Sequence, residues 1–141
     1  MLKSKICAIR AICEPLSIMT TNEISYEIRG AIFDVYNELG PGLLESVYEE
    51  ALVYELQSRG LKVDRQRIVP VVYKGVTLNT ELRLDLLVED RVIVELKSVK
   101  ELQDVHYKQT LTYCKLLDVR LGILVNFNTD SIVENIRRVA N

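Results

Sequence analysis

The sequence predicts an α/β fold, a central mixed sheet flanked by helices, and three observations predict it. Apolar residues recur at helical spacing through residues 22–59. The pattern then switches to Val- and Ile-rich strands between residues 61 and 99. A third helical stretch and one more apolar strand follow. The chain has 141 residues, 48% apolar and 27% charged, which suits one globular domain with its own core and argues against disorder or a second domain.

The first helix should start at Thr20. Thr20 and Glu23 have the spacing of a capping box, with Asn22 as a rival cap. Ile24, Ile28, Ala31, Ile32, Val35 and Leu39 then mark one face of a helix over residues 22–38. Gly40-Pro41-Gly42 stops it, because proline has no N–H for the ladder and glycine permits the turn. A second helix over residues 43–59 carries Leu44, Tyr48, Ala51, Leu52 and Leu56 on its stripe and ends at Gly60.

Residues 61–73 read as extended, with a break or bulge at Pro70. Lys74-Gly75 and Leu78-Asn79 read as turns. Residues 80–88 and 91–99 read as an antiparallel hairpin joined at Glu89-Asp90. Its apolar density, around Leu86 and Val92-Ile93-Val94, predicts central strands covered on both faces. Asp104 is a cap for a third helix over residues 104–117. Residues 120–127 form a last buried strand, and Asp130 or Ser131 opens a short C-terminal helix. The expected order is α-α-β-β-β-α-β-α.

Residues 1–19 read as a poorly packed N-terminal extension to a domain spanning residues 20–141. Lys3 and Lys5 before an apolar run only faintly suggest a signal peptide, since Arg10 interrupts it and no small-residue cleavage site follows. Met19, just before a good helix start, is a second candidate initiator beside Met1. Cys7, Cys13 and Cys114 are odd in number and lack metal-ligand spacing, so reduced thiols in a cytoplasmic protein are the expectation. No apolar run reaches the roughly 20 residues that span a bilayer. A net charge of −2 and a pI of about 5.5 weigh mildly against nonspecific nucleic-acid binding, but 18 Lys and Arg residues could still line one groove.

The informative residues are charges set inside apolar strands. Asp85 lies between Leu84 and Leu86, and Glu95 between Val94 and Leu96. Lys97 shares the face of Glu95, because side chains alternate along a strand. A tight hairpin brings Asp85 close to that pair. Buried carboxylates must be paired, solvated or metal-bound. Two hard oxygen donors suit Mg²⁺, and a lysine beside them can orient a water or stabilise a developing oxyanion. The blander alternative is a salt bridge of Lys97 with Glu95 or Asp85.

Glu45 falls in line with Tyr48, Leu52 and Leu56 and could join a metal site. It fits equally an acid favoured by the helix N-terminus, like Glu49 and Glu50. Gln109 and Tyr113, one helical turn apart, share a face with His106 and could contact phosphate or orient Lys97; an ordinary amphipathic border is the alternative. His106 is the single histidine, which removes a His-based metal site.

Gly42-Leu43-Leu44-Glu45-Ser46-Val47-Tyr48 resembles the signature of the GxxExxY proteins, a family placed in the PD-(D/E)XK nuclease superfamily. The blocks around Leu84-Asp85-Leu86, Val94-Glu95-Leu96-Lys97 and Gly122-Ile123-Leu124-Val125 are also similar, so the resemblance covers about residues 24–139. It implies a restriction-endonuclease-like αβββαβ core. It implies Asp85 and Glu95 as ligands of Mg²⁺ or Mn²⁺, with Glu45 as the helix glutamate, and Lys97 as the catalytic lysine. Gln109 and Tyr113 resemble the QxxxY element of RecB-like nucleases. The leading reading is therefore a metal-dependent phosphodiesterase acting on DNA. The alternative is a catalytically silent module of the same fold that binds nucleic acid or protein, and a plain structural domain is a third. The exposed part of the first helix is a candidate contact for a homodimer, and no membrane partner is expected.

Overall fold

In the computed structural model, which describes residues 18–141, the chain folds as two helices followed by a mixed sheet and a third helix. Cys7, Cys13 and most of the expected N-terminal extension lie outside the described residues. Met19, at the end of that stretch, packs against the core, and its carbonyl accepts from the Arg91 guanidinium.

The capping box forms as its spacing requires. The Glu23 N–H donates to Thr20 Oγ1 and the Thr20 N–H to Glu23 Oε1, both at 3.1 Å. Such a cap contributes about 1 kcal/mol. Helix α1 (Thr21–Leu39) buries Ile24, Ile28, Ala31, Ile32 and Val35 and ends at Gly40, whose φ of 67° favours glycine. Helix α2 (Glu45–Ser58) begins two residues later than the periodicity suggests. The reason is tertiary: the Leu43 N–H donates to the Tyr48 hydroxyl and the Leu43 carbonyl accepts from Ser98 Oγ, which holds the chain out of the helix. The two helices are clamped by Arg59, whose guanidinium reaches Glu27, Asp34 and Glu55. It lies against Gly30, where a Cβ would stand 2.7 Å from Arg59 Nη1.

Five strands form the main sheet: β1 (Val63–Ile68), β4 (Arg83–Val88), β5 (Val92–Lys97), β6 (Leu121–Asn126) and β7 (Ile136–Ala140). They lie in the order β1-β4-β5-β6-β7, with β5 parallel to β6 and the other pairs antiparallel. β2 (Val72–Tyr73) and β3 (Val76–Thr77) make a separate hairpin. Both hairpin turns use left-handed residue pairs, Lys74-Gly75 and Glu89-Asp90, the conformations that match strand twist in two-residue loops.

Helix α3 (Asp104–Leu117) covers the second face of the sheet. One apolar cluster joins α1 and α2 to Leu86, Val94, Leu96 and Ile123. A second joins α3, through Tyr113 and Cys114, to Leu87 and Ile93. The approach of α3 is close because Gly122 has no side chain: a Cβ there would stand 2.8 Å from Thr110 Cγ2.

Two expectations need correction. The cap of α3 is Gln103 and not Asp104, which is the first helical residue. The expected C-terminal helix is one 3₁₀ turn, Ile132–Asn135, followed by strand β7. Ile136 and Val139 are spaced like a helix face, so nothing local reveals the strand. Pairing with the otherwise open edge of β6 decides it.

Candidate active site

β4 and β5 do not stay paired to their ends. Their ladder stops at Leu86 opposite Val94. Beyond that point two carboxylates take the place of the missing carbonyl acceptors. The Asp85 N–H donates to Glu95 Oε1 at 2.9 Å, and the Leu96 N–H donates to Asp85 Oδ2 at 2.8 Å. The strands thus fork around the two acids. Each acid spends one oxygen on the partner strand's backbone, which sets both side chains in place.

Glu95 is buried and Asp85 half-buried. Burial and the charge of Asp85 push the Glu95 carboxyl up to about 8. Burial likewise raises Asp85, against the Leu96 N–H and Lys97, which favour its ionised form. Two acids that cannot both ionise without compensation are a site for positive charge. A proton supplies it in part, and a divalent cation would supply more. That donor set, two hard oxygens on a rigid fork, fits Mg²⁺ or Mn²⁺, which keep several waters and take phosphate oxygens as further ligands. Among the described residues, no three His, Cys, Asp or Glu side chains converge into a metal cage made by the protein alone.

Lys97, at the end of β5, answers the salt-bridge alternative. Among the described residues it forms no ion pair; its Nζ donates a long hydrogen bond, 3.5 Å, to Gln109 Oε1. Gln109 Nε2 in turn donates to the Tyr113 hydroxyl at 3.0 Å. Burial and the charge of Glu95 raise the Tyr113 phenol, so it stays protonated. Helix α3 therefore presents an amide and a phenol to the fork, and the i, i+4 spacing puts both on one side.

Glu45 lies at the first position of α2, exposed at the rim. Burial of part of its carboxyl raises it, while Lys97 and the Ser98 N–H favour its ionised form. It faces the same charges as Asp85 without closing on the carboxylate pair. His106 does different work from what its position on α3 suggests: its Nδ1 accepts from the Gln103 N–H and closes the start of the helix.

Three supporting residues escaped the sequence reading. Gln66 stands opposite Asp85 with a φ of 49°, donates to Glu49 Oε1 at 2.6 Å, and favours the ionised form of the Asp85 carboxyl. A left-handed glutamine inside a strand is strained backbone of the kind that gathers at functional sites. Asn126, buried on β6, accepts from the Val99 N–H and donates to the Val99 carbonyl, so it fixes the chain just after Lys97. Ser98 ties the same segment to Leu43. Only Asn126 carried a signal, an amide at the end of an apolar strand.

A family model described as the PD-(D/E)XK nuclease superfamily matches residues 22–139, most of the chain and all of the residues above. No curated protein and no solved structure matches it.

Proposed function

The chain belongs to the PD-(D/E)XK nuclease superfamily, and we propose that it hydrolyses phosphodiester bonds in DNA with Mg²⁺ or Mn²⁺ held by Asp85 and Glu95. The observation that carries this reading is the forked carboxylate pair with an unpaired lysine beside it. Nucleases of this superfamily generally use divalent metals. A cation bound there acidifies a water and neutralises charge on the scissile phosphate.

The chain's own residues set the geometry. The backbone bonds to Leu96 and Asp85 hold one oxygen of each acid and so aim the other. Lys97 brings a positive charge to where negative charge develops on the phosphate, or orients the attacking water. Gln109 and Tyr113 keep the Lys97 ammonium in place by hydrogen bonds instead of a neutralising carboxylate. Glu45, at the rim and within the electrostatic reach of Lys97 and Asp85, is the third candidate ligand.

The test is cleavage of single- and double-stranded DNA with Mg²⁺ or Mn²⁺, followed by chelation. Activity that survives chelation overturns the reading. DNA binding without cleavage, under any divalent ion, makes the chain a binding module instead. Lys97→Ala should lower the rate by about 10²-fold or more. Gln109→Ala, which frees the ammonium but keeps its charge, should lower it by about tenfold. Equal losses in the two variants would mean that Lys97 acts only through its position.

A further inference from the structure

We propose that the β2–β3 hairpin is a stacking arm for an unpaired base of a single-stranded DNA substrate, with Tyr73 as the platform and Lys74 as the phosphate contact. The inference rests on the nuclease reading for its setting, and its test does not.

The arm leaves the sheet at the end that carries the site. β1 ends at Ile68 and β4 begins at Arg83, two residues before Asp85, while β5 runs out at Lys97 on the same side. Its base is anchored. The Val69 N–H donates to the Leu82 carbonyl, the Leu78 N–H to the Val71 carbonyl, and the Val69 side chain is fully buried. Its tip is exposed: Val72, Tyr73 and Val76 are 61%, 59% and 61% accessible. An anchored stem that holds a tyrosine and two valines out in water offers a surface for an occupant.

Charge and size select that occupant. Residues 68–80 contain one charged residue, Lys74, and no acid, in a chain whose net charge is −2. Among the described residues Lys74 has no ion pair; its Nζ sits over one face of the Tyr73 ring, 5.4 Å from the centre, which leaves the opposite ring face for a base. An acid-free tip whose ammonium has no carboxylate partner suits an anion. Tyr73 and Val76 face each other across the ribbon, so they share one face, and Val72 and Thr77 share the other. Each face is about one base wide. A stable protein–protein contact needs roughly 800 Å² per partner, far beyond four strand residues. A base face is open for stacking only when the base is unpaired, which favours a single strand over a duplex. An aromatic platform beside a cation is the combination that sequence-tolerant single-strand binding uses.

The experiment measures anisotropy of a short labelled single-stranded oligodeoxynucleotide, with chelator present so that cleavage does not enter. Tyr73→Ala should weaken binding by roughly 5- to 150-fold, and Tyr73→Phe should retain it. Lys74→Ala should flatten the dependence of log affinity on log salt by about 0.7. A melting curve for each variant confirms folding, since the tip lies outside the core. Unchanged affinity for Tyr73→Ala overturns the inference, as does Tyr73→Phe binding as weakly as Tyr73→Ala, or no binding by the wild type. A sedimentation shift in Tyr73→Ala, showing a lost dimer, also overturns it. A wild type that binds through Tyr73 and cleaves nothing supports the arm and defeats the nuclease reading.

Discussion

Glu95→Gln is expected to reduce cleavage below detection and, at the same time, to raise the melting temperature of the metal-free protein above pH 8. Both effects follow from one buried group. The folded Glu95 carboxyl is pushed up to about 8 by burial and by Asp85, against an ordinary value of 4.5. Between those values the folded chain holds a proton that the unfolded chain has released. The group's contribution to stability is therefore fully present below about pH 4.5 and is lost as pH rises through about 8. The loss is on the order of a few kcal/mol. Glutamine cannot ionise. Its oxygen can still accept from the Asp85 N–H, and its amide can donate to the Asp85 carboxylate as a protonated Glu95 carboxyl would. The variant should thus melt several degrees above the wild type at alkaline pH and close to it near pH 5. Mg²⁺ should stabilise the wild type and leave the variant unmoved, because a ligand stabilises only a fold that binds it. Stability given up at a site and returned by disarming it marks a residue kept for function. A variant that melts below the wild type at pH 8 to 9 would show that the carboxyl pair is not strained.

Tyr48→Ala is the second large effect, a loss of about 3–5 kcal/mol in chemical denaturation. Tyr48 is fully buried and stacks on Phe127 with ring centres 4.5 Å apart and planes 6° from parallel. Its hydroxyl donates to the Gly40 carbonyl at 2.5 Å and accepts from the Leu43 N–H at 3.1 Å. One side chain therefore packs the core and clasps both ends of the turn that leads into Glu45. Tyr48→Phe separates the two roles. It keeps the ring stack and strands the two backbone groups, for a loss of about 1–3 kcal/mol. Hydrogen exchange reads the clasp directly, because the Leu43 amide should lose protection in the phenylalanine variant. A Tyr48→Phe protein as stable as the wild type, with Leu43 still protected, would mean that the turn holds itself.

Much of this molecule was legible in its residues, for local reasons. The capping box at Thr20, the stop at Gly40-Pro41-Gly42 and the turn at Glu89-Asp90 are chemistry between near neighbours. So is the alternation that puts Glu95 and Lys97 on one face. Asp85 and Glu95 stood out because a carboxylate inside an apolar strand is costly, and cost is visible without a structure. Other features depend on residues far apart in the chain. Strand β7 exists because β6 offers an open edge, against helical spacing in its own sequence. The role of His106 turned on which neighbour its imidazole met, and position on a helix face could not say. Gln66, Ser98 and Asn126 support the site only once β1, α2 and β6 have been brought to it.

Glu45 shows the boundary most clearly. The helical wheel aligned it with buried residues, yet it begins α2 and stays at the rim, because the Leu43 hydrogen bonds delay the helix. The residues alone determined the element types up to β6, the two-faced core and the three charges on β4 and β5. The tertiary structure decided that those strands fork and that each carboxylate bonds the other strand's backbone. It also decided that Lys97 meets an amide instead of an acid. Periodicity and burial cost are properties of a segment, whereas a fork and an ammonium held without a carboxylate are set by which segments pair and where their pairing ends.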